Sequence, residues 1–128
     1  MPVDSTINAE LHLLEHSCHG TLRVQDIIMA FDAGMSLPGF ERGMPVLWDL
    51  RDAKIEIDAS PEEMQALVTH VGLKRGNRGT GYRLAVVAQD TVLIMLADIF
   101  KALSSPLSFQ VKVFRDIDEA RSWICSNN

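Results

Sequence analysis

The chain has 128 residues, of which 47% are hydrophobic and 23% charged, and its formal net charge is −5. This length fits one domain, which we expect to span residues 1–128, and the negative charge argues against nucleic acid as the main partner. The longest apolar run, Val92–Ala97, is too short to span a bilayer, and the first residues lack a signal-peptide pattern. We therefore expect a soluble, cytoplasmic protein.

The first predicted element is a half-buried strand whose pattern breaks partway. Apolar and polar residues alternate from Ile7 to Leu13, which is the period of a strand with one buried face. The phase slips at Leu13–Leu14, which indicates a bulge or a tight hairpin, and a second strand or a continuation then reaches Cys18 and ends at Gly20. The slip makes the opening strand a candidate for antiparallel pairing.

The middle of the chain predicts helix, strand and helix. Apolar residues repeat at helical spacing from Val24 to Met35, and Val46–Trp48 is an apolar run expected for a strand covered on both faces. We expect this strand to end at Asp49 and to lead through a short loop into a helix. Ser60 is the predicted N-cap of that helix, with proline at the first position and Glu63 completing a capping box.

The remaining sequence predicts a strand over Tyr82–Ala88, a helix over Val92–Leu103, an alternating strand over Phe109–Phe114 near a sheet edge, and a last helix that follows Asp116. Strands and helices thus alternate along most of the chain. This order predicts an α/β fold with a single mixed, mostly parallel sheet of about four to five strands and about four flanking helices.

Several segments, in this order and spacing, resemble one known family: His19–Leu22, Val46–Arg51, Tyr82–Val87, Val113–Asp116, Glu119–Ala120 and Trp123–Ile124. Over residues 10–125 the chain resembles the STAS-like, anti-anti-sigma-factor-like family, especially its branch of stand-alone bacterial proteins. That branch shares a fold with CRAL-TRIO lipid-binding domains. The resemblance implies a binding or regulatory module that acts through protein–protein interaction in signalling, and no enzymatic activity.

The same resemblance implies a candidate phosphorylation site. Anti-anti-sigma factors carry an Asp-Ser-Ser-Gly segment whose second serine is phosphorylated at a helix start, which blocks partner binding. Ile57–Ser60 occupies a similar place, and Ser60 aligns with the phosphorylated serine. Ala59 replaces the first serine and Pro61 the glycine, so a kinase that needs the flexible glycine would not accept this loop. The alternative is that Ser60 is only an ordinary N-cap, and we favour this interpretation.

Acidic residues near the end of the central strand are a candidate partner or ligand surface. Asp49, Arg51 and Asp52 lie where open α/β folds bind ligands, and Asp58 follows in the next loop. Two acids beside one arginine suit acid–base chemistry, recognition of a cationic group, or a structural Asp–Arg pair. We favour the structural pair, because no nucleophile or histidine accompanies them, and we predict no catalytic residue and no cofactor.

Two further segments carry charged or metal-binding residue types. His12, His16, Cys18 and His19 cluster near the N-terminus, but their spacing does not match a zinc site, and we expect no bound metal. Lys74–Gly81 is basic and glycine-rich, yet it leaves a helix and enters a strand, the reverse of a phosphate loop. We favour the interpretation that these cations lie near a helix C-terminus and complement the negative end of its dipole. The alternative is that they bind an anion or an acidic partner.

The third predicted helix is apolar around most of its circumference. Its candidate interface residues are Leu93, Ile94, Ala97 and Phe100. An apolar outer face indicates an interface, a hydrophobic ligand channel or burial under another element. We favour a protein partner, most simply a homodimer. The alternatives are a carrier or sensor of a small apolar, lipid-like ligand, a helix covered by the N-terminal segment, and a small enzyme that uses Asp49 or Asp52.

Overall fold

A computed structural model describes residues 2–55 and 59–126 of the chain. The elements follow in the order β1 (Val3–Asn8), β2 (Leu13–Leu22), α1 (Val24–Met35), β3 (Val46–Ile55), α2 (Pro61–Leu73), α3 (Arg75–Arg78), β4 (Arg83–Val87), α4 (Thr91–Leu103), β5 (Gln110–Phe114) and α5 (Ile117–Ile124). The predicted α/β class is confirmed. The short helix α3 is the element that the periodicity did not predict, because four residues carry no helical repeat.

The phase slip near the N-terminus is a tight hairpin. The backbone N–H of Leu11 donates to Oδ1 of Asn8 over 3.0 Å, and His12 has a positive φ of 58°, so the chain reverses between β1 and β2. The predicted strand from Ile7 to Leu13 was therefore wrong over residues 9–12, since the side chain of Asn8 stabilises a turn there. The two strands pair antiparallel, with Asn8 opposite Leu13.

The sheet contains five strands in the order β1-β2-β3-β4-β5, and β2 to β5 pair in parallel. Parallel neighbours joined in chain order need crossovers of one hand, which place the connecting helices α1, α2 and α4 on the same face. These helices contact one another in sequence, α1 with α2 and α2 with α4. Helix α5 follows the last strand and packs on β3, β4 and β5 from the other face.

The two faces of the sheet carry separate apolar cores. The larger core lies under α1, α2 and α4 and includes Leu14, Trp48 and Val86. The smaller core lies under α5 and comprises the buried residues Leu13, Leu47, Ala85, Val87, Ala120 and Ile124. Neighbouring residues such as Leu47 and Trp48 face opposite sides, so the prediction that this strand is covered on both faces is confirmed.

Strands β2 and β3 extend beyond the other parallel strands. Strand β3 pairs with β4 only as far as Asp49 opposite Val87, but it continues along β2 until Ile55 lies opposite Leu22. The predicted ends of these strands at Asp49 and Gly20 were therefore wrong. Each strand supplies the backbone partners that the other needs, so polar side chains do not stop the pairing. A register shift between Ser17 and His19 marks a bulge within this extension.

Helix α4 begins at an Asp90 cap, whose Oδ1 accepts from the N–H groups of Val92 and Leu93 at 2.9 and 3.2 Å. One side of the helix packs on α2, β3 and β5. The opposite side exposes four large apolar residues, namely Val92, Met95, Ile99 and Leu103. Strand β1 lies at the far edge of the sheet from β5, so residues 3–8 do not cover this face.

None of the helices in the described ranges has the length and apolar character that crossing a bilayer requires.

Helix α3 is docked against the loop that precedes β3. The N–H of Gly43 donates to the carbonyl of Arg78 over 2.7 Å, and Nε of Arg42 donates to the carbonyl of Gly76 over 2.7 Å. Gly79 ends the helix with a φ of +95°, and a Cβ there would lie 2.7 Å from Cα of Gly43. Only glycine satisfies both the backbone conformation and this close approach.

Replacing Gly79 by alanine should therefore lower the free energy of unfolding by more than about 2 kcal/mol, because both backbone strain and a backbone clash are introduced. Gly76→Ala is the matched control, since a Cβ on Gly76 meets nothing within 4 Å. That variant should keep or raise the stability, by up to about 1 kcal/mol. Urea denaturation of both variants checks the contrast, and equal midpoints would contradict the close approach of Gly79 to Gly43.

Candidate functional site

The most distinctive site is a cavity of about 100 Å³ within the larger core. Side chains from β2, β3 and β4 form its floor, and α1, α2 and α4 form its walls. Aliphatic and aromatic side chains make up nearly all of the lining, including Trp48 and Phe100. The polar side chains of the lining are His16, Arg78 and Tyr82.

The cavity is large enough both to lower the stability of the domain and to hold part of a small molecule. Empty apolar volume destabilises a core by roughly 24 cal/mol per Å³, so 100 Å³ costs about 2 kcal/mol. A core of this size normally leaves few voids larger than a water molecule. An apolar cavity of roughly 150 Å³ in another protein binds benzene, so the space here is of the order that a small apolar molecule needs.

His16 forms part of the cavity floor as a neutral, buried imidazole. Its ring stacks on Trp48 with 3.9 Å between the centroids, and its Nδ1 lies 2.7 Å from Oγ of Ser5. Helix α1 closes over the ring at Gly34, where an added Cβ would lie 3.1 Å from the imidazole. Burial, together with the positive charge of Arg78, lowers the pKa of His16 from 6.5 to about 3. The imidazole therefore adds polarity to the cavity without adding charge.

Arg78 is the charged group of the cavity, and only 2% of its surface is exposed. Its guanidinium lies 3.8 Å above the ring of Tyr82 and 5.5 Å from that of Phe40, which are cation–π distances. Nη2 donates to the carbonyl of Met44 over 2.7 Å, while the buried Nη1 has no hydrogen-bond partner among the described residues. Burial lowers the pKa of Arg78 and raises that of Tyr82.

Sequence patterns did not identify Arg78 as a site residue. The segment Lys74–Gly81 was interpreted as cations that complement a helix end, but Arg78 turns inward and is buried. Gly79, directly after the arginine, was a usable signal, because a glycine permits the close backbone approach to Gly43 that docks this segment. The tyrosine four residues later was the second signal, since Arg78 stacks on it.

The predicted residues of α4 lie on its inner side. Leu93, Ala97 and Phe100 line the cavity, and Ile94 packs partly buried against the same core. The exposed apolar residues are different ones, at positions 92, 95, 99 and 103. The apolar character that the sequence showed around α4 therefore divides into a cavity wall and an outer stripe.

The predicted acidic surface is separated from that wall by the sheet. Asp49 and Leu47 are two residues apart on β3, so both face α5. Nε and Nη2 of Arg51 donate to the two carboxylate oxygens of Asp49 over 2.9 and 2.8 Å. Burial acts to raise the pKa of Asp49, but the hydrogen bonds and charge of Arg51 outweigh it and hold the pKa below its usual range. Asp52 is exposed opposite His19.

Ser60 is the N-cap of α2, as predicted. Its Oγ accepts from the N–H of Glu63 over 3.2 Å, which is the serine half of a capping box. The side chain is partly exposed at the start of the helix. Asp58, the remaining residue of the predicted surface, lies outside the described residues.

The cluster of histidines and cysteine is dispersed by the hairpin. His12 lies in the turn and contacts Glu41, whereas His16 and Cys18 are buried and His19 is exposed beside Asp4. Across residues 2–55 and 59–126 no group of three or more His, Cys, Asp or Glu side chains is arranged to hold a metal ion. Burial raises the pKa of the Cys18 thiol to about 12, with the carboxylates of Asp49 and Asp4 adding to the effect. Cys18 and Cys125 are both free.

Comparison with solved structures identifies the fold. The chain is similar to the crystal structure of an uncharacterised protein of the DUF3478 family with a SpoIIAA-like fold, from Shewanella loihica PV-4. The match has a TM-score of 0.59 and 18% sequence identity, and it covers 96% of this chain and 92% of that chain. Comparisons with protein-family models and with curated proteins find no match. The chain thus has a SpoIIAA-like, STAS-like α/β fold, which confirms the fold that the sequence resemblance implied.

The buried imidazole makes the stability depend on pH. Between pH 6.5 and about 3, His16 binds a proton in the unfolded chain but not in the native one, so the free energy of unfolding falls as pH is lowered. This residue contributes up to about 1.4 kcal/mol per pH unit in that window. His16→Gln should flatten the dependence between about pH 7 and 4.5, measured by urea denaturation at each pH.

His19→Gln serves as the control for that experiment, because it removes an exposed imidazole from the same strand. The control should keep the steep dependence of the parent. A His16→Gln variant whose stability still falls as steeply as that of the parent would contradict the neutral state assigned to His16.

Proposed function

We propose that this chain is a single-domain, cytoplasmic, non-enzymatic binding module that carries or senses a small apolar ligand. The cavity between the sheet and helices α1, α2 and α4 is the observation that carries this proposal. Ligand pockets are concave, mostly apolar and supplied with a few polar groups that fix orientation. This cavity has that composition, since aliphatic and aromatic side chains surround His16, Arg78 and Tyr82.

Helix α4 supports the proposal further. It is strongly apolar although its position in the fold requires only one buried stripe. Four of its apolar residues line the cavity, namely Leu93, Leu96, Ala97 and Phe100. Helices that border a ligand space need apolar side chains beyond those that pack on the sheet. Among the described residues no acid–base pair lines the cavity, and Asp49 lies on the other face in an ion pair with Arg51. Binding without chemistry is therefore the favoured function.

Ala97→Phe tests this proposal by filling the space. The side chain of Ala97 is buried and lines the cavity, so an aromatic ring there should lower the affinity for 1-octanol by about tenfold or more. Trp48 also lines the cavity, and Trp123→Phe leaves it as the sole tryptophan, whose emission then reports binding. In that background, 1-octanol should shift the emission saturably and raise the melting temperature.

Ala102→Phe is the matched control, since Ala102 is exposed on the same helix and away from the cavity. It should leave the affinity for 1-octanol unchanged. The proposal fails if 1-octanol and its shorter and longer homologues produce no saturable signal in the parent, or if Ala97→Phe binds as tightly as the control.

A second candidate function is association through the outer face of α4. Val92, Met95, Ile99 and Leu103 are spaced by three or four residues and so form one exposed stripe along the helix. A second copy of the chain suits this stripe, because two identical apolar stripes can pack antiparallel about a two-fold axis. The homodimer expected from the sequence is thus proposed through these residues, and protein–protein interaction stays part of the function.

Light scattering after size exclusion tests the second candidate. The parent should elute with twice the mass of the chain, and Ile99→Glu should give the monomer, because a carboxylate would be buried at the centre of the stripe. Lys101→Glu is the control, since Lys101 is exposed on another side of α4 and should leave the dimer intact. A parent that stays monomeric at high concentration would exclude this interface.

Regulation by phosphorylation at Ser60 stays a prediction. A partly exposed cap serine is accessible to a kinase, and a phosphate at a helix N-terminus is favoured by the helix dipole. The adjacent Glu62 and Glu63 oppose a further negative charge, and the present role of Oγ as a cap explains the residue without modification. The serine is therefore included as a candidate regulatory site and not as part of the ligand site.

A further inference from the structure

A buried arginine that has no acidic partner among the described residues is the least expected feature of the cavity. Each described carboxylate that forms an ion pair does so with a residue other than Arg78. Two aromatic rings and the carbonyl of Met44 contact the guanidinium, but none of them neutralises its charge. An unpaired charge in a low-dielectric core has a high desolvation free energy, so binding of a counter-charge beside it would be favourable.

The donors of Arg78 are also incompletely used. Nη2 donates to the carbonyl of Met44, while the buried Nη1 has no hydrogen-bond partner in residues 2–55 and 59–126. Guanidinium groups present their N–H donors in a planar fork that matches a carboxylate, often through two parallel hydrogen bonds. A carboxylate at this position would meet both the unpaired donor and the unpaired charge.

We propose that the ligand of the cavity is a small apolar monocarboxylate whose anionic group pairs with Arg78. This inference rests on the proposed ligand-binding function and adds the chemical class of the ligand. The hydrocarbon part lies among the aliphatic and aromatic side chains, for example Leu96 and Phe100, and the carboxylate lies against the guanidinium. Because Nη1 is buried, a side-chain rotation at Arg78 or Tyr82 accompanies binding, as is common at interfaces.

The charge of the site selects a monoanion over a phosphate. Arg78 is the one cation among the described residues of the lining, and the neighbouring His16 is neutral because burial and Arg78 hold its pKa at about 3. A single negative charge would be balanced, whereas a phosphate dianion would leave one charge unpaired in an apolar space. The volume of about 100 Å³ is smaller than the roughly 150 Å³ that holds benzene, so it encloses about four or five carbons of the ligand, and the rest of a longer chain such as that of octanoate extends along the open side of the pocket.

Matched ligands test the inference on the unmodified protein. Isothermal titration at pH 7.5 compares octanoate with 1-octanol, which have the same chain length and differ in charge. Octanoate should bind about tenfold or more tightly than 1-octanol, because only octanoate supplies the counter-charge. Equal affinities would overturn the carboxylate assignment and leave the proposed binding function standing, whereas failure of both ligands and of their homologues would remove the binding function itself.

Substitution at Arg78 gives a second test with a matched control. Arg78→Met should remove the preference for octanoate and keep the affinity for 1-octanol, whereas Arg75→Met, which removes an exposed cation from the same short helix, should keep the preference. Loss of the preference in both variants would indicate an effect of net charge and would overturn the assignment. Circular dichroism of each variant shows whether it is folded.

Carbon-13 NMR of octanoate labelled at the carboxyl carbon requires no substitution at all and covers the case in which Arg78→Met does not fold. Bound octanoate should titrate at a lower pH than free octanoate, because the guanidinium favours the anion. A bound carboxyl that titrates at the free value, or at a higher pH, would overturn its contact with Arg78.

Discussion

The handedness of the strand connections determines most of this structure. Strands β2 to β5 lie in chain order and in parallel, so each right-handed crossover returns over the same face of the sheet, and α1, α2 and α4 must share that face. Three helices on a five-stranded sheet enclose a deep apolar layer, whereas the single helix α5 covers a much smaller core on the other side. The cavity lies in the deep layer, where side chains from α1, α2, α3 and α4 meet those from three strands.

A second constraint acts within that layer through the short helix α3. Its backbone is held against the loop before β3 by the bond from Gly43 to the carbonyl of Arg78, and the close approach at Gly79 allows that docking. The docked backbone directs the Arg78 side chain inward, onto Tyr82 and towards the carbonyl of Met44. An arginine buried in this way lowers the stability of the fold unless its contacts or a ligand compensate for the loss of hydration. One guanidinium can do both, because Nη2 bonds to the carbonyl of Met44 while Nη1 is left for a ligand.

Sequence patterns predicted the fold well because the fold depends on local repeats. The apolar run Val46–Trp48 identified a strand buried on both faces, the helical repeat identified α1, and Ser60 marked the start of α2. Each of these signals depends on residues near in sequence. The lengths of β2 and β3 were missed because polar residues such as Asp52 remain in a strand when a long neighbour pairs with them. Arg78 was missed because its burial results from contacts with Phe40 and Met44, which are distant in sequence and carry no periodic signal.

Helix α4 connects the two proposed binding properties. Ala97 lines the cavity on one side, and Ile99, two residues further, belongs to the exposed stripe on the other. A ligand that changes the position of α4 therefore changes the outer stripe as well, because a helix moves as a rigid element in a packed core. By thermodynamic linkage, association through the stripe would then alter the affinity for the ligand by the same factor. If both proposed binding properties hold, such coupling is the physical means by which ligand occupancy would alter association through the stripe.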